Sequence, residues 1–350
     1  MSSTNDQINE LNQAASTFFL VVSIVNFILG SIGLLVNVIV FTRPILRREP
    51  CSLYFLISSC YNLFVVFIVM PTRVLSNSYS ISLSNLNDGI CKFEYFIFYA
   101  TRATSIWLIL LACIDRFLHS SSKESIRRIS TLKTAKISIL ITSLIVPILY
   151  SHMLFYYEIA NVTNQYGKVN PQCNGQKGFY RTFFGFCHMV VYSICPTLFM
   201  LLFGFLTLRN VRQHRQIVRR FQENSNNRRT DSQLLRMLAT QVIVIIIATL
   251  PFSLYQLYTS FTTTISKSTY QVAQDNLAAR ITGIMTYFAH STSFYLYTLT
   301  GSIFRNEVYK IIHRRSRLNR NHINPMDTGP RQTLPQKSLS NQRITTDRNI

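Results

Sequence analysis

The chain has 350 residues, 48% of them hydrophobic and only 14% charged, with 35 Lys and Arg against 14 Asp and Glu for a net charge of +21. Charged residues are about half as frequent as the roughly 25% usual in globular domains, which excludes an ordinary water-soluble fold and points to a membrane protein. The basic excess does not indicate a nucleic-acid partner, because the Lys and Arg flank apolar stretches, where they meet anionic lipid and set topology.

In chain order, a polar segment of residues 1–17 comes first, with no basic n-region of a cleavable signal peptide. Seven apolar stretches follow, approximately Phe18 to Phe41, Ser52 to Pro71, Phe93 to Leu118, Ala135 to Tyr157, Thr182 to Leu208, Met237 to Phe261 and Ile281 to Ile303. Each matches the ~20 helical residues that cross ~30 Å of hydrocarbon. Runs such as Val242 to Leu250 are continuously apolar rather than alternating, which is incompatible with a transmembrane β-barrel and leaves helices. The expected fold is therefore an all-α seven-transmembrane helix bundle over residues 18–303. Beyond it, Phe304, Val308, Tyr309, Ile311 and Ile312 alternate with Lys310, Arg314 and Arg315, predicting a short amphipathic eighth helix on the membrane surface over 304–317. Residues 318–350 are polar and are expected to form a disordered cytoplasmic tail.

Orientation follows from basic residues counted by loop. Arg43, Arg47 and Arg48, the segment from Arg116 to Lys136, the segment from Arg209 to Arg236 and the tail from Arg305 onward together hold 27 of the 35 basic residues. These four belong on the cytoplasmic side, which places the N-terminus outside the cell and the C-terminus inside, in a multi-pass plasma-membrane protein. The sequon Asn161-Val162-Thr163 then falls outside, where Asn161 is an expected glycosylation site.

Of the seven cysteines, the same topology leaves only Cys91 and Cys173 in the oxidising outer compartment. They are expected to pair, closing a loop worth roughly 4 to 5 kcal/mol of chain entropy; the alternative is two free outer thiols. No cysteine follows Cys195, so a palmitoyl anchor behind the eighth helix is excluded.

The third stretch ends in Ile114-Asp115-Arg116-Phe117, with Cys91 25 residues before Arg116. Together with Gly33-Leu34-Leu35-Val36-Asn37 in the first stretch, Pro196 in the fifth and Pro251 in the sixth, this pattern resembles the rhodopsin-like G-protein-coupled receptors over roughly residues 18 to 310. The resemblance implies that Arg116 engages a heterotrimeric G protein, that Asp115 steadies it in the closed state, that Asp231 reaches it as a latch, and that Pro251 and Tyr297 belong to the switch. Asp231 also suits a helix N-terminal turn, where the dipole favours an acid.

Several positions depart from the family pattern. Asn62 stands where the family shows Asp in helix two, Ser293-Phe294-Tyr295-Leu296-Tyr297 replaces Asn-Pro-x-x-Tyr in helix seven, and Leu250 replaces the tryptophan before the helix-six proline. Asn62, Ser105 and Ser293 without a carboxylate lack the charge that would hold sodium. Phe98 occupies the place of the aminergic aspartate, so monoamines are not expected, and no lysine in the seventh stretch could link retinal.

The expected ligand-binding residues are Glu94, Phe98, Tyr99 and Arg102 in the third stretch, His188 and Tyr192 in the fifth, Gln256 in the sixth, and Arg280 and Tyr287 at the seventh. An arginine at the depth of Arg102 costs on the order of 3 kcal/mol unless paired or wetted. Glu94, two turns away, could pair with it through an intermediary; otherwise Arg102 would meet an anionic or carbonyl group of a ligand. His290 is read as a hydrogen-bonded core histidine rather than a proton relay. An aromatic, mixed-charge vestibule suits a short neuropeptide. The leading function is a receptor that binds an extracellular ligand and activates a heterotrimeric G protein. A transporter or channel, or a signalling-silent decoy receptor, is the alternative. No zinc-ligand spacing, nucleophile elbow or phosphate loop suggests an enzyme, and no metal or other cofactor is implied.

Overall fold

The structure is a computed structural model, and it describes residues 2–79, 81–163, 169–218, 225–262, 265 and 267–323; the side chains of 2–5, 162, 163, 170, 214–218, 225–232, 312 and 314–323 are outside the description. Two units are distinguished, Met1–Val308 and Tyr309–Ile350.

The first unit is built on long helices: α1 (Ser2–Phe41), α2 (Pro50–Tyr79), α3 (Asp88–His119), α4 (Leu132–Tyr150), α5 (Phe179–Gln213), α6 (Ser225–Phe261) and α7 (Thr269–Ser291, resumed as Ser293–Thr300). Six of them, α1 to α6, are long and apolar enough to cross a membrane. In α7 the first half carries Gln271, Gln274, Asp275, Asn276 and Arg280, and the helix is interrupted at Thr292. A last helix, α8 (Ser302–Ile323), starts in the first unit; within the second, Tyr309 stacks on His313 with ring centroids 3.6 Å apart.

Local chemistry explains several helix starts. The Asn87 side chain accepts from the Gly89 amide (2.7 Å) at the head of α3, and Thr131 accepts from Thr134 at the head of α4. Ser268 and Gln271 form a reciprocal capping box on α7.

Proline sets the irregular turns. Met70-Pro71 follows a wide turn at Val65–Val69, and Cys195-Pro196 follows another at Met189–Ile194. Proline lacks an N–H and its ring collides with the carbonyl four residues back, so widening the preceding turn lets the helix continue. This is why α2 runs on to Tyr79, past the end expected at Pro71, and carries Arg73 into the bundle. Other boundaries differ too, α6 beginning at Ser225 rather than Met237 and α3 at Asp88 rather than Phe93. Helix α1 takes in the polar segment expected to precede the first span, α4 stops at Tyr150, and α7 begins at Thr269, well before Ile281.

The expectation of a wholly helical fold is corrected by an antiparallel hairpin of β1 (Tyr157–Thr163) and β2 (Val169–Gly175), with Ile159 opposite Cys173. The expected Cys91–Cys173 disulfide is present and joins β2 to α3. The Asn85 and Asp88 side chains accept from the Cys173 and Ile159 amides at 3.0 and 3.2 Å. Both strands are thereby held at the start of α3, and the Tyr157 ring lies 5.1 Å from that of Tyr95. Asn161 is exposed on β1.

Large apolar side chains such as Leu140, Ile148, Leu198 and Phe205 are exposed on α4 and α5, as helices facing hydrocarbon require. Inside, Phe19, Val65, Val69, Met70, Phe98, Ile284 and Tyr287 form a core cluster toward the hairpin end. Phe41, Phe55, Tyr297 and Phe304 pack their rings 5.1 to 5.8 Å apart at the opposite end.

Helix α1 lies against α7 through small residues. A Cβ added at Gly30 would come 2.7 Å from the Ser291 Cβ, and one at Gly33 would come 2.8 Å from the Phe294 Cβ. Gly30→Val must therefore force the helices apart, and is expected to cost about 1–3 kcal/mol, read as a lower melting temperature of the purified protein. Gly204→Ala, where the added Cβ meets nothing within 4 Å, is the control expected to melt no lower than the wild type.

Candidate functional site: a buried polar chain and a buried arginine at the end of α3

The inward face of α3 carries two arginines, Arg102 at mid-helix and Arg116 near the end, with 6% and 3% of their surfaces exposed. Each organises a separate centre.

At the first, Arg102 Nη2 donates to Thr286 Oγ1 on α7 (2.7 Å) and to the Tyr192 hydroxyl on α5 (3.3 Å). Its guanidinium lies 5.3 Å from the ring centroids of Tyr192, Phe252 and Tyr287, where the negative ring faces attract it. Thr286 in turn donates its O–H to the Gly283 carbonyl (2.7 Å).

The Tyr192 hydroxyl lies 3.3 Å from His290 Nε2, and His290 Nδ1 lies 2.8 Å from Asn62 Oδ1, which also accepts from Ser105 (2.5 Å). A carbonyl oxygen only accepts, so Nδ1 carries the proton of a neutral His290 and Nε2 receives the tyrosine O–H. Donation then runs one way, from Arg102 to Tyr192 to His290 to Asn62, across α3, α5, α7 and α2. In such a chain each bond polarises the next.

Of the residues expected at a ligand site, Phe98, Tyr99, Arg102, His188, Tyr192 and Tyr287 meet around this centre. His188 stacks on Tyr192 (4.7 Å), meets Tyr99 edge-on (4.9 Å) and lies 3.0 Å from the Tyr150 hydroxyl through Nδ1. The other three do not join. Arg280 donates to Ser16 on α1 (3.0 Å), and Glu94 and Gln256 make no side-chain hydrogen bond to the cluster among the described residues. Arg102 extends toward α5 and α7, and among the described residues it makes no direct ion pair with Glu94. Ser293 is likewise apart from Asn62 and Ser105. It accepts from Asn37 (3.0 Å), while His290 fills the place beside Asn62.

Arg73 is a further residue of this region. It donates to the Tyr95 hydroxyl (3.0 Å), with its guanidinium 4.3 Å from that ring and 5.3 Å from Phe98. Its position just past Pro71 hid it from sequence reasoning, which ended the second span there. An arginine two residues beyond an apolar stretch was the available signal.

At the second centre, Arg116 Nη2 pairs with Asp115 (3.0 Å) and approaches Glu49 of the α1–α2 connection (3.7 Å). The other Asp115 oxygen accepts from Ser130 (2.7 Å). Glu49 was not foreseen, since an acid in a short loop carries no motif. Asp231 lies on α6, but its side chain is outside the described residues, as is any contact with Arg116. Two glutamines of α6 connect to the end of α7 and the start of α8: Gln241 accepts from the buried Tyr297 hydroxyl, while Gln233 donates to Ser302 and accepts from the Ile303 amide. Pro251 lies within α6 between Gln241 and Phe252's neighbours at the first centre.

Tyr192→Phe keeps the ring contacts but deletes the hydroxyl that links Arg102 to His290. Leaving buried partners unmatched costs about 1–3 kcal/mol. The melting temperature of the purified protein should fall accordingly, and an unchanged value would deny the chain any part in stability.

Among curated proteins none matches this chain significantly. The family described as 7 transmembrane receptor (rhodopsin family) matches residues 33–322, a span that includes both arginine centres and every helix from the end of α1 to α8. The chain belongs to the rhodopsin family of seven-transmembrane receptors and is a multi-pass membrane protein.

Proposed function

We propose that this protein is a plasma-membrane receptor that binds a short neuropeptide outside the cell and activates a heterotrimeric G protein inside it. The observation that carries the proposal is Arg116, buried at the end of α3 and held by Asp115 and the partly exposed Glu49. An arginine kept out of water by removable partners is poised to exchange them for an acidic or carbonyl surface when the bundle end opens.

In this reading α7 is the seventh crossing, the N-terminus and the hairpin are extracellular, Asn161 is glycosylated, and the basic Arg116 end faces the cytosol. Helix α8 lies on the inner leaflet. Asp231 supplies a further latch on Arg116 in the closed state, and movement of α6 about Pro251 breaks the Gln241–Tyr297 bond. Ligand enters from the hairpin end, past Glu94, Gln256 and Arg280, toward Tyr99, His188 and Tyr287.

The departures at Leu250 and at Ser293-Phe294-Tyr295-Leu296-Tyr297 favour a second reading, a decoy that binds ligand without signalling. A G-protein activation screen in cells expressing the protein, using pooled short peptides, separates the two. A response abolished by Arg116→Ala is the expected outcome. A response that survives Arg116→Ala contradicts the role given to Arg116, and binding without any response supports the decoy.

A further inference from the structure

A guanidinium as buried as Arg102 normally has a carboxylate beside it, because an unpaired charge in a low-dielectric interior is strongly disfavoured. Arg102 has none. Among the described residues no carboxylate pairs with it, whereas Arg116 meets Asp115 and Glu49, Arg128 meets Glu124, and Lys267 meets Asp275. The neighbours that do touch Arg102, Thr286 and Tyr192, are neutral, and the rings of Tyr192, Phe252 and Tyr287 offer partial charge only. His188, His290 and Tyr99, the other titratable groups packed there, supply no carboxylate. Both recorded hydrogen bonds use Nη2, and the buried Nε has no partner.

We propose that Arg102 is the anchor of an anion site at the centre of the bundle, taking a small monoanion as its counter-charge. The anion accepts from the buried Nε–H, the proton beside Nη2 that Thr286 and Tyr192 leave unused. Two sources share this chemistry, an inorganic halide and a carboxylate of a ligand. The halide source goes beyond the receptor function, and the ligand-carboxylate source rests on it; the test uses neither agonist nor G protein, so its failure is distinct from a failure of that reading.

The test is thermal melting of the full-length protein in nanodiscs at constant ionic strength. Isethionate, too bulky to enter, is replaced stepwise by chloride, bromide or formate from about 5 mM to about 150 mM. Ligand binding to the folded state raises the melting temperature by mass action. A saturable rise of about 2 °C or more is expected in the wild type and in Lys177→Gln, an exposed hairpin-end control. Arg102→Met should abolish it, and Arg102→Lys, which keeps the charge, should retain it in part. A rise with halides identifies an inorganic ion, and a rise with formate alone identifies the subsite of a ligand carboxylate.

Melting independent of the anion in the wild type overturns the proposal, as does a rise that persists in Arg102→Met. Should the Arg102 variants fail to fold, the single tryptophan provides a second measurement in the wild type. Trp107 lies on α3 little more than a turn from Arg102, with its Nε1 bonded to the Val191 carbonyl next to Tyr192. Iodide bound at the site quenches its fluorescence in a saturable way that chloride competes away, whereas linear, uncompeted quenching overturns the proposal.

Discussion

Hydrocarbon offers no partner for a polar group, so a polar group inside this bundle is costly unless another part of the chain or a bound ion satisfies it. Arg102 is the severest case, a full positive charge at mid-helix on α3. Much of the interior arrangement answers to it: Thr286 and Tyr192 accept its protons, three aromatic rings surround it, and the Tyr192 hydroxyl carries the polarisation on to His290 and Asn62. One demand for hydrogen-bond acceptors thus ties α3, α5, α7 and α2 together at a single level.

Helix α7 connects this level to the Arg116 end. Thr286, Tyr287 and His290 stand in its first segment and Tyr297 in its second, with the interruption at Thr292 between them. Helix α6 spans the same interval, with Phe252 over Arg102 and Gln241 on Tyr297. Any molecule that changes the partners of Arg102 therefore acts on both helices that close the far end. Packed interiors of this kind rearrange between discrete states rather than deforming smoothly, which is the behaviour a receptor needs.

The helical bundle was legible in the sequence because hydrocarbon imposes a length and a composition that runs such as Val242 to Leu250 meet directly. The Cys91–Cys173 pair was legible from topology, and Asp115-Arg116 stood out as a motif at the end of the third stretch. The partners of Arg102 were not. Glu94 was the nearest acid along α3, but a side chain at mid-helix reaches whatever stands opposite, and only tertiary packing brings Thr286 and Tyr192 there. Arg73 and the length of α2 were hidden for a different reason. Proline reads as a terminator, whereas a widened turn before Pro71 absorbs the lost hydrogen bond and the helix goes on. The hairpin was missed because its strands are short, polar and stabilised by the disulfide and by Asn85 and Asp88, contacts that periodicity does not record.

The central claim is that the bundle is built around a positive charge whose neutralising partner does not come from a neighbouring side chain. Thr286, 2.7 Å from Arg102, allows the most direct measurement: a comparison of the melting temperatures of Thr286→Asp and Thr286→Asn, two variants of nearly equal shape that differ in charge. The account predicts that Thr286→Asp melts higher, because the carboxylate supplies the missing counter-charge beside the guanidinium. Equal melting, or a more stable Thr286→Asn, would mean that the rings and hydroxyls already satisfy Arg102, and would contradict the account.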